Sequence, residues 1–374
     1  MKTALLFILL IVSPLFFSQN TTILDYHFED ALIDLGLDDN LDGSVQTSHI
    51  DTLTYLDVSG YDIFNLSGIE DFSSLSYLNC GENQLTILNL SANTQLQELH
   101  CGGNQLTSLD LSNNPSVNTL TCHSNNLSSI DLGQCNLEWF QCMYNQLTSL
   151  DVTNCSNLSR FECQYNLLTS LDVSQCPELW WFDCSYNQLT GIDVSNNPLL
   201  WWFFCSNNLI ETIDISNNPN IECIDFENNQ IINIVLNPNV SCLKLANNQL
   251  TSLDISGYGN LVNLDIRYNP LVCLNLANGN NQNLSLEASE SPDLACVQVD
   301  NINNALTWYS MFPESVLSED CASDCSMGVS NLSSTPKKLL KIVDYTGRET
   351  TFKPNTPLIY LYSDGSTEKV FVTE

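Results

Sequence analysis

The sequence predicts an α/β solenoid dominated by β-structure, in which coils of about 21 residues stack on one another. The segment that opens at Leu75 returns every 21 residues, with single steps of 20 and 19. Its ten copies open at Leu75, Leu96, Val117, Leu137, Leu158, Leu179, Leu200, Ile221, Val240 and Leu261. Apolar residues alternate at positions 4 and 6, and again at 14 and 16, which suits strands and excludes a continuous helix. One copy cannot bury its apolar face alone, so the copies must stack.

Position 9 of the repeat is asparagine in all ten copies. A chain that turns sharply after a strand leaves buried backbone groups in need of partners, and asparagine offers a donor and an acceptor on a short side chain. We expect a buried ladder of Asn83, Asn104, Asn125, Asn145, Asn166, Asn187, Asn208, Asn229, Asn248 and Asn269. The template L-x-x-L-x-C-x-x-N-x-L-x-x-L-D-L-S-x-N resembles the leucine-rich repeat. That resemblance implies a parallel sheet along the concave face.

Two segments precede the repeats. Residues 1–18 contain an apolar run too short to span a bilayer, which is typical of a cleaved signal peptide. Residues 19–52 are expected to form an N-terminal cap, with a helix over residues 27–37 that covers the open end of the first coil. The residues that share the apolar face of this helix are Phe28, Ala31, Leu32 and Leu35.

The solenoid is predicted to span residues 53–299 and to end in a C-terminal cap over residues 300–328. Residues 329–336 are small and polar, which indicates a linker. The remaining residues, 337–374, contain two apolar runs around a turn at Asp364. This pattern predicts a β-hairpin, and therefore a small β-rich tail.

The tail carries a recognisable set of residues: Leu340, Val343, Asp344, Gly347, Arg348, Pro357, Tyr360, Gly365 and Lys369. Through them, residues 337–374 resemble the C-terminal sorting domain of the type IX secretion system of Bacteroidetes. The resemblance implies that the type IX secretion machinery is a partner. It also implies that the protein is secreted or held on the outer-membrane cell surface.

The chain is strongly acidic, with a formal net charge of −33 at pH 7. From residue 3 to residue 336 the only lysines and arginines are Arg160, Lys244 and Arg267. Such a body repels nucleic acid and anionic membrane surfaces, so we exclude both as partners. Beyond the signal peptide, the sequence predicts no transmembrane span.

Cysteines occupy two columns of the repeat. Seven lie at position 6, facing the core: Cys80, Cys101, Cys122, Cys142, Cys163, Cys184 and Cys205. Three lie at position 19, where other copies carry asparagine: Cys135, Cys155 and Cys176. Equivalent positions on neighbouring parallel strands are ~4.8 Å apart, slightly beyond the Cβ separation of a disulfide. We therefore expect both columns to be reduced, with the thiols acting as small apolar groups.

Other cysteines are candidates for disulfides. Cys223 and Cys242 both occupy outward position 3 on adjacent strands, where a bridge is geometrically tight but open to formation. In the C-terminal cap, a bridge from Cys296 to Cys321 is the pairing we favour among several.

The outward strand positions 3 and 5 are informative because core packing does not dictate them. In four consecutive coils they are rich in tryptophan, and position 8 adds tyrosines on the following turn. We predict a contiguous ligand-binding surface, the recognition face, formed by Trp139, Arg160, Trp181, Asp183, Trp202, Phe204, Tyr144, Tyr165 and Tyr186. Exposed apolar patches of this kind generally bind a partner. The alternative is that stacked indoles only shield one another.

Few residues suit catalysis. His100 and His123 lie on neighbouring coils, but the adjacent cysteines face the core, so we expect no zinc site there. Glu162 and Asp183 are the one outward acidic pair on neighbouring strands within the recognition face. A paired-carboxylate enzyme acting on polysaccharide therefore remains an alternative.

Two acidic features could bind cations. Residues 38–43 match the opening of a calcium loop, but His49 would replace its bidentate glutamate, so we favour an acidic turn and keep calcium as the alternative. The aspartates at position 15 are expected to accept hydrogen bonds from nearby hydroxyls and amides, with cation binding as the alternative. They are Asp110, Asp131, Asp151, Asp172, Asp193, Asp214 and Asp254. We therefore expect no cofactor.

These features predict an exported, non-catalytic recognition or adhesion protein that binds a protein or glycan ligand on its aromatic concave face. The whole chain also resembles exported bacterial leucine-rich-repeat proteins of adhesin or internalin-like type. That resemblance implies protein or glycan recognition on the concave sheet. A surface-associated polysaccharide-acting enzyme and a passive surface-layer component are the alternatives.

Overall fold

The computed structural model describes residues 19–289, 294–308, 312, 316–321, 339–344, 348–350, 358–362 and 367–370. The chain forms two compact units, Met1–Ser330 and Asn331–Glu374. The predicted signal peptide, residues 1–18, and linker, residues 329–336, lie outside the described residues. In the described part of the chain, every helix is too short or too polar to cross a membrane.

The first unit is a parallel β-solenoid, as the repeat predicts. Each coil gives one strand to a twelve-stranded parallel sheet, the main sheet, whose strand order follows the chain. Its strands are Tyr55–Asp57, Tyr77–Asn79, Glu98–His100, Thr119–Thr121, Trp139–Gln141, Arg160–Glu162, Trp181–Asp183, Trp202–Phe204, Cys223–Asp225, Cys242–Lys244, Asn263–Asp265 and Ser285–Glu287. The ten strands from Tyr77–Asn79 to Asn263–Asp265 occupy positions 3 to 5 of the ten predicted copies.

A second set of short strands forms separate, smaller parallel sheets. Most of these strands occupy positions 13 to 15 of a coil, where the second alternating pattern was found. They are Ser108–Asp110, Ser129–Asp131, Thr212–Asp214, Asn233–Val235, Ser252–Asp254, Cys273–Asn275, Cys296–Gln298 and Leu317–Ser318. Each complete coil is therefore a main-sheet strand, a turn and a return.

Positions 4 and 6 form the continuous core that the period of two predicts. In the middle coils position 4 is a column of fully buried rings, with neighbouring centroids 5.4 to 5.6 Å apart: Phe140, Phe161, Phe182 and Phe203. The seven cysteines of position 6 and the three of position 19 are buried and unbridged, so the prediction of two reduced columns is confirmed. Burial raises the thiol pKa in these columns, to about 12 for Cys101, because a thiolate is poorly solvated in the core.

The asparagine ladder at position 9 ties each coil to the one before it. The Nδ2 of Asn125 donates to the carbonyl oxygen of Cys101 in the preceding coil, at 3.0 Å, and to that of Cys122 in its own coil, at 3.2 Å. Its Oδ1 accepts from the backbone N–H of Leu106, again in the preceding coil, at 2.9 Å. The other nine ladder asparagines make equivalent bonds, and only Asn145 of the ten is less than fully buried. The predicted buried ladder is confirmed.

Position 19 accepts either asparagine or cysteine because only a donor is required there. Asn114 uses Nδ2 to donate to the carbonyl oxygens of Leu90 and Asn93, while its Oδ1 has no partner among the described residues. In the next coil the Sγ of Cys135 lies 3.2 Å from the carbonyl oxygen of Asn114. A thiol can thus replace the amide as a weak donor. These cysteines are more than the small apolar groups that the sequence indicated.

The position 15 aspartates are satisfied locally, as predicted. The Oδ1 of Asp151 accepts from both the backbone N–H and the hydroxyl of Thr153, at 2.9 and 2.6 Å. The backbone N–H two residues on makes the same contact with Asp110, Asp131, Asp172, Asp193, Asp214 and Asp254. These bonds stabilise the charged carboxylate and lower the pKa of Asp151.

The N-terminal cap combines an antiparallel strand pair, Asn20–Thr22 with Ser44–Gln46, and the helices Tyr26–Asp34 and Thr47–Ile50. The first helix is shorter than the predicted 27–37. Of its predicted apolar face, Phe28, Ala31 and Leu32 are fully buried. The prediction was wrong for Leu35, which is 46% exposed because the helix ends at Asp34 and Leu35 is its C-cap residue.

The acidic turn at residues 38–43 is held by a neighbouring carboxylate. The Oε1 of Glu29 accepts from the backbone N–H groups of Asp42, Gly43 and Ser44. Short 3-10 helices complete the described secondary structure of this unit: Ile69–Asp71, Asn281–Asn283 and Ile302–Trp308. Disulfides join Cys223 to Cys242 and Cys296 to Cys321, the two pairs considered from the sequence.

The second unit contains a four-stranded antiparallel sheet. Its strands, in sheet order, are Glu349–Thr350, Leu339–Asp344, Leu358–Tyr362 and Thr367–Val370. The last two form the predicted hairpin, with Leu358 paired to Val370 and Leu361 to Thr367. The turn at residues 363–366 lies outside the described residues.

Candidate ligand-binding face

Position 3 of the main sheet brings four predicted residues into one row. Trp139, Arg160, Trp181 and Trp202 are direct neighbours across three parallel strand pairs. The register is fixed because the alternating core at position 4 locks each strand in place. Equivalent residues on paired strands are ~4.8 Å apart, so these large side chains must touch. They form an unbroken band across four coils.

Arg160 lies between two indoles in this band. Its Cζ is 5.0 Å from the ring centroid of Trp139 and 5.1 Å from that of Trp181. A guanidinium over the face of a tryptophan is attracted by the negative face of the ring. Its Nε also donates to the Oε1 of Glu162 on the same strand, at 2.7 Å. Arg160 is therefore held on three sides.

The tryptophans are not equally exposed. Trp202 and the two position 2 residues Trp180 and Trp201 are exposed, whereas Trp139 and Trp181 are half-buried. The ring centroids of Trp181 and Trp202 are 5.7 Å apart, and Phe204 lies 6.0 Å from Trp202. The indoles therefore shield one another in part and still leave aromatic surface open to solvent.

The tyrosines at position 8 form a second aromatic row. The rings of Tyr144, Tyr165 and Tyr186 are stacked almost parallel, with centroids 4.4 and 4.1 Å apart. All three are exposed, and all three have a positive φ of 53° to 57°. The turn after each strand needs this left-handed conformation, which is costly for most side chains. Asn207, Asn228 and Asn247 take the same conformation in later coils.

The acidic pair on neighbouring strands is poorly placed for catalysis. Glu162 is only 7% exposed, and its Oε1 accepts from both Arg160 and the Nε2 of Gln141, the latter at 2.8 Å. Asp183 is half-buried and accepts from the backbone N–H of Ser185 at 3.0 Å. Burial raises the pKa of Asp183, but a glycosidase also needs a partner carboxylate that can reach substrate or water. The carboxylate of Glu162 instead accepts a hydrogen bond from Arg160.

Metal ligands are not gathered in the described part of the chain, where no three His, Cys, Asp or Glu side chains form a cation-binding group. The Nδ1 of His100 lies 3.0 Å from the Oγ1 of Thr121, and that of His123 lies 3.3 Å from the Oγ of Ser124. These histidines have protein partners and do not meet the core cysteines.

Sequence reasoning missed two features of this region. Glu162 was considered from the sequence as half of an acidic pair with Asp183, although it forms a hydrogen-bonded group with Gln141 and Arg160. Trp201, at position 2, is not among the nine residues predicted for the recognition face, yet it is 52% exposed. The signal for Trp201 was its place just before a strand, where no core contact demands an indole.

No protein-family model matches the chain, and no curated protein matches it. Solved structures do. The internalin InlF of Listeria monocytogenes is 19% identical, with a TM-score of 0.51, and the match covers 74% of this chain and 95% of that one. The functional domain of InlJ from the same species, which includes a cysteine ladder, is also 19% identical, with a TM-score of 0.48 and coverage of 96% and 99%.

The leucine-rich effector YopM of Yersinia pestis is similar over 61% of this chain and 69% of its own, at 21% identity and a TM-score of 0.47. At such identities structural similarity shows the fold alone. The likeness to InlF, together with the coil length and the parallel main sheet, shows that this chain has the leucine-rich-repeat solenoid fold.

Proposed function

We propose that this protein is an exported, non-catalytic recognition and adhesion protein, and that the recognition face binds a protein or glycan ligand. One observation carries the proposal: exposed and half-buried aromatic side chains form two rows across consecutive coils, one on the main sheet and one on the turns that follow its strands. Position 3 supplies the row from Trp139 to Trp202, and position 8 supplies the row from Tyr144 to Tyr186.

An aromatic surface that is open to water is unfavourable unless a ligand covers it. Contiguous exposed aromatic surface is uncommon on soluble proteins and usually marks a binding site. Aromatic rings also bury a large area with little loss of side-chain freedom, which favours them in binding sites. Arg160 adds a positive charge to an otherwise acidic chain and is prevented from moving by Trp139, Trp181 and Glu162. A pre-positioned group loses less entropy when a ligand binds.

The non-catalytic part of the proposal is supported by the acidic residues. Within the recognition face the carboxylate of Glu162 is occupied by Arg160 and Gln141, and Asp183 is held by Ser185. This arrangement disfavours the polysaccharide-acting enzyme considered from the sequence. Structural similarity to the internalin InlF supports a recognition role by analogy of fold only.

Ligand capture tests the proposal, with variants chosen from residues the fold already accepts. The full-length chain is probed on an array of glycans and proteins, beside Trp202→Thr and Tyr165→Asn. Threonine occupies the same main-sheet position at Thr119, and asparagine takes the same left-handed turn at Asn207. We expect each variant to melt like the parent and to lose about tenfold or more in affinity for the captured ligand.

Tyr55→Ala is the matched control. Tyr55 is an exposed aromatic residue of the same main sheet, stacked on Tyr77, but it lies in the first coil, outside the recognition face. Its removal should leave capture unchanged. Equal capture by the parent, Trp202→Thr and Tyr165→Asn would refute the proposal.

Export is the second part of the proposal, and it rests on the tail. Residues 337–374 resemble a type IX sorting domain, and the second unit contains an antiparallel sheet of its own. Fusion of residues 329–374 to a reporter, in a host that has the type IX machinery, should place the reporter in the medium or on the cell surface. Retention of the reporter in the periplasm would contradict export by this route.

A further inference from the structure

A groove of about 670 Å³ lies beside the main sheet, outside the recognition face. Its lining residues come from the ends of four consecutive coils, at or just before the positions where each main-sheet strand begins. They are Leu199, Trp201, Pro219, Asn220, Glu222, Asn239, Ser241 and Asn260. None of them is among the nine residues of the recognition face, although Trp201 directly precedes Trp202, which is.

An exposed indole and an exposed leucine form the apolar end of the groove. Trp201 is 52% exposed, and Leu199 is also exposed. Both residues precede the strand Trp202–Phe204, where the core at position 4 makes no demand on them. A flat aromatic surface beside hydrogen-bonding groups is the usual composition of a small-molecule or carbohydrate site.

Three asparagines line the rest of the groove as a ladder with a period of one coil. Asn220, Asn239 and Asn260 each stand immediately before the opening residue of a repeat copy. Asn239 donates from Nδ2 to the carbonyl oxygen of Pro219 at 2.8 Å, and Asn220 donates to that of Pro198 at 3.3 Å. These bonds orient both amides. The Oδ1 atoms of both have no hydrogen-bond partner among the described residues and remain available as acceptors.

The charge of the groove restricts its ligand. No lysine or arginine is among the residues that line it, and Glu222 contributes a negative charge. The chain as a whole carries a formal net charge of −33, so an anionic ligand would be repelled. Hydroxyl groups, in contrast, can donate to free amide oxygens at no electrostatic cost.

We propose that this groove binds a neutral polysaccharide chain, with a sugar ring on Trp201 and sugar hydroxyls on the amide ladder. The C–H face of a sugar is apolar and fits against an indole, while its edge carries hydroxyls. Acceptors that recur at one coil spacing, ~4.8 Å, suit a polymer with a short repeating unit. The proposal does not depend on the ligand of the recognition face.

Titration calorimetry of the full-length chain tests this with soluble oligosaccharides of neutral glucan, mannan and xylan, and with a sulfated and a uronic-acid oligosaccharide. We expect one neutral class to bind and neither anionic class to do so. Trp201→Ala should weaken that binding about tenfold or more. Trp180→Ala is the matched control, because Trp180 is the exposed indole at the same position one coil earlier and does not line the groove.

Glu222→Gln keeps the shape of the side chain and removes its negative charge, so it should leave binding of the neutral oligosaccharide unchanged. Four outcomes would overturn the proposal. The first is no binding of any neutral oligosaccharide, the second is equal binding by the parent and Trp201→Ala, and the third is equal loss in Trp201→Ala and Trp180→Ala. Tyr165→Asn separates the two surfaces, since it removes a ring of the recognition face only. The fourth is binding of the neutral oligosaccharide that is lost in Tyr165→Asn but kept in Trp201→Ala, which would place the sugar on the recognition face rather than in the groove.

Discussion

The guanidinium of Arg160 lies over the indole ring of Trp139 on the neighbouring strand, with its Cζ 5.0 Å from the ring centroid. Trp181 completes the enclosure from the other side at 5.1 Å. The positive charge of Arg160 is attracted by the faces of both rings and pairs with the carboxylate of Glu162. The arrangement links the stability of the sheet to the shape of the recognition face.

Replacement of Arg160 by alanine should therefore expose both indoles to water. We expect the tryptophan emission to shift to longer wavelength and the free energy of unfolding to fall by about 1–3 kcal/mol, from two cation–π contacts and one charged hydrogen bond. Urea denaturation followed by fluorescence measures both effects.

Arg267→Ala is the control for that experiment. Arg267 pairs with Asp265 and Glu287 on the same sheet, so its loss removes ion pairs without uncovering an indole. We expect stability to fall but the emission maximum to stay. An identical emission maximum in Arg160→Ala and the parent would contradict the cation–π arrangement.

The asparagine ladder makes a second prediction about stability. Asn125→Ala would leave the buried N–H of Leu106 without its partner and would remove one of two donors to the carbonyl oxygen of Cys101, which still accepts from Asn104. A buried unpaired group costs about 1–3 kcal/mol and a lost hydrogen bond about 1 kcal/mol, so we expect a loss of about 2–4 kcal/mol in urea denaturation. Asn113→Ala, at an exposed asparagine of a neighbouring turn, should change stability by less than about 0.5 kcal/mol. Equal losses of stability in the two variants would show that the hydrogen bonds of the ladder are not the source of the effect.

The sequence could predict the core because one rule recurs in every coil. A strand whose position 4 is buried fixes positions 3 and 5 on the opposite face, so ten main-sheet strands could be located from periodicity. The coil at Ser285–Glu287 was missed because Asn283 stands where the other copies open with an apolar residue. The end of the helix at Asp34 was missed for a related reason, since a boundary depends on capping rather than on the apolar pattern.

The recognition face could be predicted only as a set of positions. That Trp139 and Arg160 would be neighbours follows from register, but that Arg160 would pack between indoles depends on side-chain rotamers on three strands. The groove at Trp201 was not predicted, because its lining residues lie at coil ends, away from the alternating core positions, and the repeat does not show that they enclose a groove. Their proximity comes from stacking, which brings residues about 20 apart in the chain into contact.

Acid should destabilise the protein through the position 15 aspartates. Hydrogen bonds from a hydroxyl and an amide lower the pKa of Asp110, Asp151, Asp172 and Asp193. Because the folded pKa lies below the unfolded value, the stability these groups add is present above the ordinary pKa of aspartate, about 3.9, and is lost as pH falls through the folded value. The pKa of Asp57 is lowered as well, whereas burial raises the pKa of Asp38, Asp183 and Glu227, and these three groups act in the opposite direction.

Melting temperature measured from pH 6 to pH 2 should therefore fall below about pH 4. Thr153→Val removes the hydroxyl bond to Asp151 and keeps the backbone N–H bond, so its acid-induced fall should be shallower. Thr148→Val, at an exposed threonine of the same coil, is the control and should follow the parent. Curves of the same slope for Thr153→Val and the parent would argue against the local bonds as the source of acid sensitivity.

The cysteine columns should resist modification while the protein is folded. Burial raises the pKa of Cys101 to about 12 and that of Cys135 to about 11. Both thiols are therefore inaccessible and protonated at pH 8, where alkylation requires an exposed thiolate. After iodoacetamide treatment, peptide mapping should find both residues unlabelled in the folded protein and labelled after denaturation in urea.

The half-buried disulfide pair Cys223 and Cys242 serves as the internal control, because after mild reduction both residues should react with iodoacetamide while the protein stays folded. Labelling of Cys101 in the folded, unreduced protein would mean that the core opens readily at that coil, contrary to the continuous packing seen from Phe140 to Phe203.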